Sequence, residues 1–356
     1  MFTVQYKRFL KPLGKVVLAL SVIFPVAGAQ GGEEQSDAVG FEDVRLEVPH
    51  QARPLEVALW YPVREKGYPM VIGDNPVFRG TKVWKGSLIE EGSFPLVLLS
   101  PGSGGSPVTL GWIASRLVRQ GYVVAGFRHP GTTTGDSYPQ RAAEHWTRAE
   151  DISAVLDFLL GKSGFAGSIE AQDISVLGFS LGGLTALQVG GARPSLSLFR
   201  EQCEGSARKR EDCQYLASGG VDLSLLDGEA FGQDLRDSRI KRIVAVDPAL
   251  TPAMPVKNRE SIAVPTLLIN LGFEGERMWA TDLSDQGSGF AGDLPNSEYW
   301  TLGGANHFAF LGECKDGAGI ILQEEGEEAI CEDPAGSLRS VLHEKIGARI
   351  LGFLKK

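Results

Sequence analysis

Histidine is scarce in this chain, with five in 356 residues, and there are only four cysteines. The cysteine spacings do not resemble a zinc site. Positive charge is also in short supply: 35 Lys and Arg stand against 44 Asp and Glu, for a formal net charge of -9. No basic stripe offsets that balance, so nucleic acid is excluded as a partner. Beyond the first 30 residues no second long apolar stretch occurs, which argues against a retained membrane anchor. No complete GxxxxGK[ST] phosphate-loop pattern and no dinucleotide fingerprint between a strand and a helix is present, which excludes a nucleotide site. No internal repeat is evident.

The N-terminus has its own pattern. Lys7, Arg8, Lys11 and Lys15 precede an apolar run from Val16 to Val26, and Ala27-Gly28-Ala29 follows. This order predicts a secretory signal peptide over residues 1–29, too short for a membrane span. The expected location is periplasmic or secreted. Residues 30–356 are long enough for one large α/β domain with insertions. An even cysteine count in an exported chain suggests disulfides. Of three pairings, Cys203–Cys213 and Cys314–Cys331 are favoured, because each pair brackets a polar, loop-like insert.

Val44 to Val48 and Leu55 to Tyr61 read as early antiparallel strands. Pro95 to Ser100 reads as a fully buried strand closed by Pro101-Gly102-Ser103-Gly104-Gly105, and Tyr122 to Phe127 is the next. Helices are expected over Thr109 to Gln120 and Arg148 to Leu160, the latter with Ile152, Val155, Leu156 and Leu159 at helical spacing. Ile240 to Val246, Ile262 to Leu271 and Tyr299 to Gly303 complete the strands, and Ser337 to Leu354 is a closing helix. Strands alternating with helices over crossover-length gaps predict a parallel sheet core.

The chemistry centres on Gly178-Phe179-Ser180-Leu181-Gly182, which follows the apolar Ile174 to Leu177 and precedes a small-residue helix, Leu181 to Val189. This is a nucleophile-elbow pattern, in which a serine is held on a tight strand-to-helix turn. The flanking glycines avoid collisions that side chains would make there. A serine hydroxyl needs a base, and the base needs an orienting carboxylate. In the expected chain order the histidine follows the serine. Only His307 and His343 do so, and His343 sits at helical spacing within the last helix, so His307 is the base. Asp247, at the end of the Ile243 to Val246 strand, is the first candidate acid. Glu274 is the alternative, with Asp282 and Asp285 behind it. The oxyanion donors are the N–H groups of Leu181 and of Ser103, with Gly102 second. His129 precedes the serine, and a structural role is expected for it. The residues 191–239 form an insertion that either lids the cleft or makes a surface excursion.

These residues resemble the α/β-hydrolase superfamily, and within it the platelet-activating-factor acetylhydrolase-like esterases and the predicted dienelactone hydrolases. The supporting segments are Leu98 to Gly104, Arg128 to Gly131, Arg148 to Ile152 and Gly178 to Gly183. The resemblance implies a mostly parallel central sheet flanked by helices, with disulfide-bonded insertions. It implies hydrolysis of short acyl esters, often on lipids, without a metal or other cofactor, and it ranks Asp247 above Glu274. Pro101 stands where many relatives have histidine, and serine stands where true dienelactone hydrolases use cysteine. Polyester, lactone or amide hydrolysis is an alternative activity. A non-catalytic binding module on the same shell is another alternative.

Overall fold

The computed structural model describes residues 37–204, 210–292, 294–334 and 336–356. The expected signal peptide, residues 1–29, and Arg208 and Lys209 of the 191–239 insertion lie outside them.

A strand with no polar face must be covered on both sides. Leu96, Val97, Leu98 and Leu99 meet that demand, each with no exposed surface. They lie in the sixth of the described strands: β1 (Val39–Leu46), β2 (Leu55–Glu65), β3 (Tyr68–Ile72), β4 (Thr81–Lys85), β5 (Leu88–Ile89), β6 (Phe94–Ser100), β7 (Val123–Arg128), β8 (Thr132–Thr133), β9 (Asp136–Ser137), β10 (Ile169–Phe179), β11 (Arg242–Val246), β12 (Thr266–Leu271) and β13 (Ser297–Leu302). One sheet runs β13-β12-β11-β10-β6-β7-β2-β1-β4-β3, with β5 on β2. From β13 to β7 every pairing is parallel. The chain turns antiparallel at β2 and β1. The mostly parallel sheet expected from the alternating pattern is therefore present.

The described helices are α1 (Gly111–Val118), α2 (Pro139–Ala143), α3 (Trp146–Gly161), α4 (Leu181–Val189), α5 (Leu196–Gln202), α6 (Glu211–Ser218), α7 (Gly228–Phe231), α8 (Val256–Arg259), α9 (Ala318–Glu325) and α10 (Arg339–Leu354). Side chains alternate across a strand. Leu96 and Leu98 thus face one core, with Val155 and Leu156 of α3 and Leu184 and Leu187 of α4. Val97 and Leu99 face the other, with Ile113 and Leu117 of α1 and Ile346 and Ile350 of α10. Full burial of each such side chain stabilises the fold by about 1.5–3 kcal/mol.

Some boundaries differ from the sequence reading. The helix expected from Thr109 begins as a tighter turn over Pro107–Leu110, and α1 starts at Gly111. The strand expected within Ile262 to Leu271, with Pro265 at its edge, is as read: it starts at Thr266, directly after Pro265, which has no N–H for the ladder. The first strand begins at Val39, ahead of Val44. The insertion 191–239 holds α5, α6 and α7. Cys203 is bonded to Cys213 and Cys314 to Cys331, with Cα atoms 5.5 and 5.9 Å apart. Among the described residues no helix is long and apolar enough to cross a membrane.

Candidate active site

The turn between β10 and α4 is built on close backbone approach. A Cβ on Gly178 would lie 1.9 Å from the Gly182 carbonyl oxygen, and a Cβ on Gly182 would lie 1.9 Å from that of Ser100. Neither contact is physically possible, so glycine is obligatory at both positions. Ser180 itself has φ 55° and ψ -120°, a conformation that costs a non-glycine residue about 1–3 kcal/mol. Its N–H donates to Val246 O at 2.9 Å, and its carbonyl accepts from Gly183 and Ala249. Neighbouring strand and helix thus hold the strained residue in place.

Ser180 Oγ lies 3.2 Å from His307 Nε2, and His307 Nδ1 lies 3.0 Å from Asp247 Oδ2. With Nδ1–H donating to the carboxylate, Nε2 presents a lone pair to the serine hydroxyl. His307 stands in the loop after β13, its ring 4.7 Å from that of Phe179. Asp247 is buried at the end of β11. Its other oxygen accepts from Leu271 N at 2.9 Å and from Asn270 Nδ2 at 2.8 Å. Asn270 also donates to Thr281 O, and accepts from Leu283 N and Tyr299 Oη. Every polar atom of that buried amide is thereby engaged, which fixes the carboxylate's orientation.

The rival acids lie elsewhere. Glu274 is exposed, and its carboxylate makes no hydrogen bond to His307 among the described residues. Asp282 pairs with Arg277 at 3.2 Å and accepts from Ser284 N. Asp285 is exposed. Sequence reasoning missed Asn270, although a lone amide within the apolar run Leu267 to Leu271 is a visible anomaly.

Of the loop after β6, Gly104 N donates to Thr132 O and Gly105 N to Gly102 O. The N–H groups of Gly102, Ser103 and Leu181 have no acceptor among the described residues. A Cβ on Gly102 would come within 3.1 Å of Ser180 Cβ, so this loop lies against the nucleophile turn. Ser103 Oγ is 2.8 Å from Tyr215 Oη of α6, so the insertion reaches the loop. Sequence spacing alone could not bring these two residues together.

A second Ser-His-Asp chain lies deeper. Ser100 Oγ is 3.0 Å from His129 Nε2, and His129 Nδ1 is 2.7 Å from Asp151 Oδ2. All three side chains are buried. Burial, with Arg148 adding to it, pushes His129 down to about 4. The ring is therefore neutral, donating to Asp151 and accepting from Ser100. Arg148 Nη2 donates to Ser100 Oγ and to the Pro101 carbonyl, and Nε donates to Thr185. On its outer side Asp151 accepts from His50 and Gln51. This network ties β6 and the following loop to α3 and α4. His343 is buried too, stacked 3.8 Å from Trp112, with Nε2 directed at the carbonyls of Ala309 and Leu311.

Ser180, Leu181, His307 and Ser103 line a cleft of about 380 Å³, whereas Ser100, His129 and Asp151 do not. Phe199, Tyr215, Leu216 and Phe231 of the insertion line it as well. Leu322, Glu327 and Ile330, within the Cys314–Cys331 loop, form another part of the wall. Among the described residues no group of three or more His, Cys, Asp or Glu is placed to hold a metal.

No family model matches the chain. It is similar to bis(hydroxyethyl) terephthalate hydrolase of Streptomyces coelicolor, 31% identical over 119 residues that cover 33% of this chain and 36% of that protein. Cutinase est1 of Thermobifida alba is 28% identical over 109 residues, 30% of this chain and 34% of that protein. Cutinase 1 of Thermobifida cellulosilytica is 25% identical over 225 residues, 62% and 63% of the two chains. The chain thus spans about a third of the length of the first two relatives. A ferulic acid esterase structure from Streptomyces cinnamoneus superposes with a TM-score of 0.58 at 20% identity, over 90% of this chain and 92% of that one. The last likeness establishes the α/β-hydrolase fold.

Proposed function

We propose that this protein is a serine hydrolase of carboxylic esters, with Ser180 as nucleophile, His307 as base and Asp247 as orienting acid. The observation that carries the reading is a Ser-His-Asp chain with normal hydrogen-bond lengths that opens onto a cleft. Ser100 is set aside as nucleophile because its whole chain is sealed in the core, where no carbonyl can reach it.

Ser180 Oγ bonds to the ester carbonyl carbon while His307 takes its proton. Asp247 holds the resulting imidazolium. The N–H groups of Leu181, at the positive end of α4, and of Ser103 stabilise the oxyanion. Collapse breaks the carbon–oxygen bond, His307 protonates the departing alcohol, and an acyl-serine remains. Water, activated by His307, repeats the sequence and frees the acid.

The substrate class proposed is an acyl ester, small or polymeric. Relatives named as a cutinase and a terephthalate-ester hydrolase support it. A short-acyl lipid ester is the second reading, supported by the acetylhydrolase-like segments around Gly102, His129 and Ser180. In both, the insertion 191–239 acts as a partial lid, a role favoured by the Tyr215–Ser103 contact. Two disulfides favour work in an oxidising compartment, periplasmic or extracellular. Turnover of p-nitrophenyl esters of increasing acyl length tests the reading. Hydrolysis abolished in Ser180→Ala is expected. An optimum at acetyl or butyryl favours the short-acyl lipid reading, and a long-chain optimum contradicts it.

A further inference from the structure

We propose that Tyr215 of the insertion is a positioning residue for ester cleavage: its hydroxyl holds Ser103, so that the Ser103 N–H stays aimed at the oxyanion. The inference rests on the ester-hydrolase reading, with Ser103 as an oxyanion donor, and adds a residue from outside the central sheet to that machinery. Most of the loop after β6 is fastened by α3 and by the segment around β8. The Pro101 carbonyl accepts from Arg148, Gly105 N donates to Gly102 O, and Gly104 N donates to Thr132 O. Thr134 Oγ1 donates to Gly104 O, and Thr133 Oγ1 to Gly105 O. Ser103 takes part in none of these bonds. Among the described residues its one hydrogen bond runs between Oγ and Tyr215 Oη, 2.8 Å apart.

Ser103 needs such a tether because of its neighbours. Gly102 and Gly104 flank it, and glycine leaves the adjoining peptide groups free to rotate. A stiffer residue at 102 would crowd the nucleophile, since a Cβ there would lie 3.1 Å from Ser180 Cβ. An oxyanion donor serves catalysis best when it is already aimed and needs no reorganisation as charge develops. Tyr215 can supply that restraint because α6 is itself fastened along its length. Cys213, two residues earlier, is bonded to Cys203. At the start of α6 the Arg210 guanidinium lies 3.2 Å from the centre of the Trp279 ring. At its end, Gln140 of α2 donates to the Gly219 carbonyl. Tyr215 and Ser103 line the cleft together with Ser180 and His307, so the bond sits at the reaction site. Both side chains are exposed, so little of the fold's stability depends on it.

The test measures kcat and KM for wild type, Tyr215→Phe, Ser103→Ala and the double variant, on whichever p-nitrophenyl ester wild type cleaves fastest. Tyr215→Phe keeps the ring in the cleft wall and removes only the hydroxyl. Ser103→Ala keeps the backbone N–H and removes only its anchor. Each single variant is expected to lower kcat about tenfold, a part of the roughly 10²–10³ that loss of a whole oxyanion donor costs. KM is expected to stay within about twofold, as for an interaction realised in the transition state. The double variant is expected to fall no further than either single one, because both changes cut the same bond. An unchanged kcat in Tyr215→Phe overturns the proposal. So does a change confined to KM, which a plain wall residue would give. A double variant whose loss is the product of the two single losses also overturns it, because Tyr215 then acts independently of Ser103. If Tyr215→Phe does not fold, Ser103→Ala decides alone, and an undiminished kcat there overturns the proposal. Undiminished variants beside an active wild type defeat only this proposal. A wild type with no turnover and no fluorophosphonate label defeats the ester-hydrolase reading beneath it.

Discussion

At the scale of single residues, the division of labour between carboxylates is the sharpest point. Asp247 is buried, bonded to His307, and clamped by Asn270 and Leu271. Glu274 is exposed on a turn. Asp247→Ala is expected to lose roughly 10⁴-fold in kcat, because the imidazole loses its tautomer and orientation. Glu274→Ala is expected to stay within a few-fold of wild type. The reverse pattern in steady-state ester hydrolysis would reassign the acid. Chain order and strand ends were enough to nominate Ser180, Asp247 and His307. The residues around them were not legible in the same way. Arg148 sits in an apolar helical stripe, and only the fold reveals that its guanidinium reaches the Pro101 carbonyl from α3. That bond braces the loop that follows β6.

At the scale of elements, the insertion 191–239 is the part whose role depends most on geometry. Its sequence leaves a lid and a surface excursion both open, and Phe199, Tyr215, Leu216 and Phe231 line the cleft. Helical periodicity was too short over α5, α6 and α7 to register in the sequence. The buried strands were easier, because Leu96 to Leu99 or Val244 to Val246 leave no polar face to interpret otherwise. The Cys203–Cys213 bond closes a small loop between α5 and α6. Replacing both cysteines by serine is expected to destabilise the protein by roughly 2–3 kcal/mol. A loss of that size in chemical denaturation, accompanied by a raised KM, would match an insertion that shapes the cleft. A lowered stability with KM unchanged would match a passive excursion.

At the scale of the whole molecule, three histidines are buried and neutral. Burial pushes His129 and His343 down to about 4 and His145 down to about 3, against a weaker upward pull from their hydrogen bonds. An unfolded chain protonates such residues below about pH 6.5, their ordinary value. Between that pH and about 4 the unfolded state binds more protons, so stability rises with pH across the window and is level above it. His50 works the other way: its bond to Asp151 raises it, so its contribution is present below pH 6.5 and lost as pH rises. Three buried rings outweigh one half-buried ring. Melting temperature is accordingly expected to fall steadily as pH drops from 6.5 to 4, and a flat profile would show that the rings are protonated in the fold. The most direct measurement is to treat folded protein with a fluorophosphonate and map the modified peptide by mass spectrometry. A single label on Ser180 is expected, absent in Ser180→Ala and retained in Ser100→Ala. A label on Ser100, or none on protein that circular dichroism reports as folded, would contradict it.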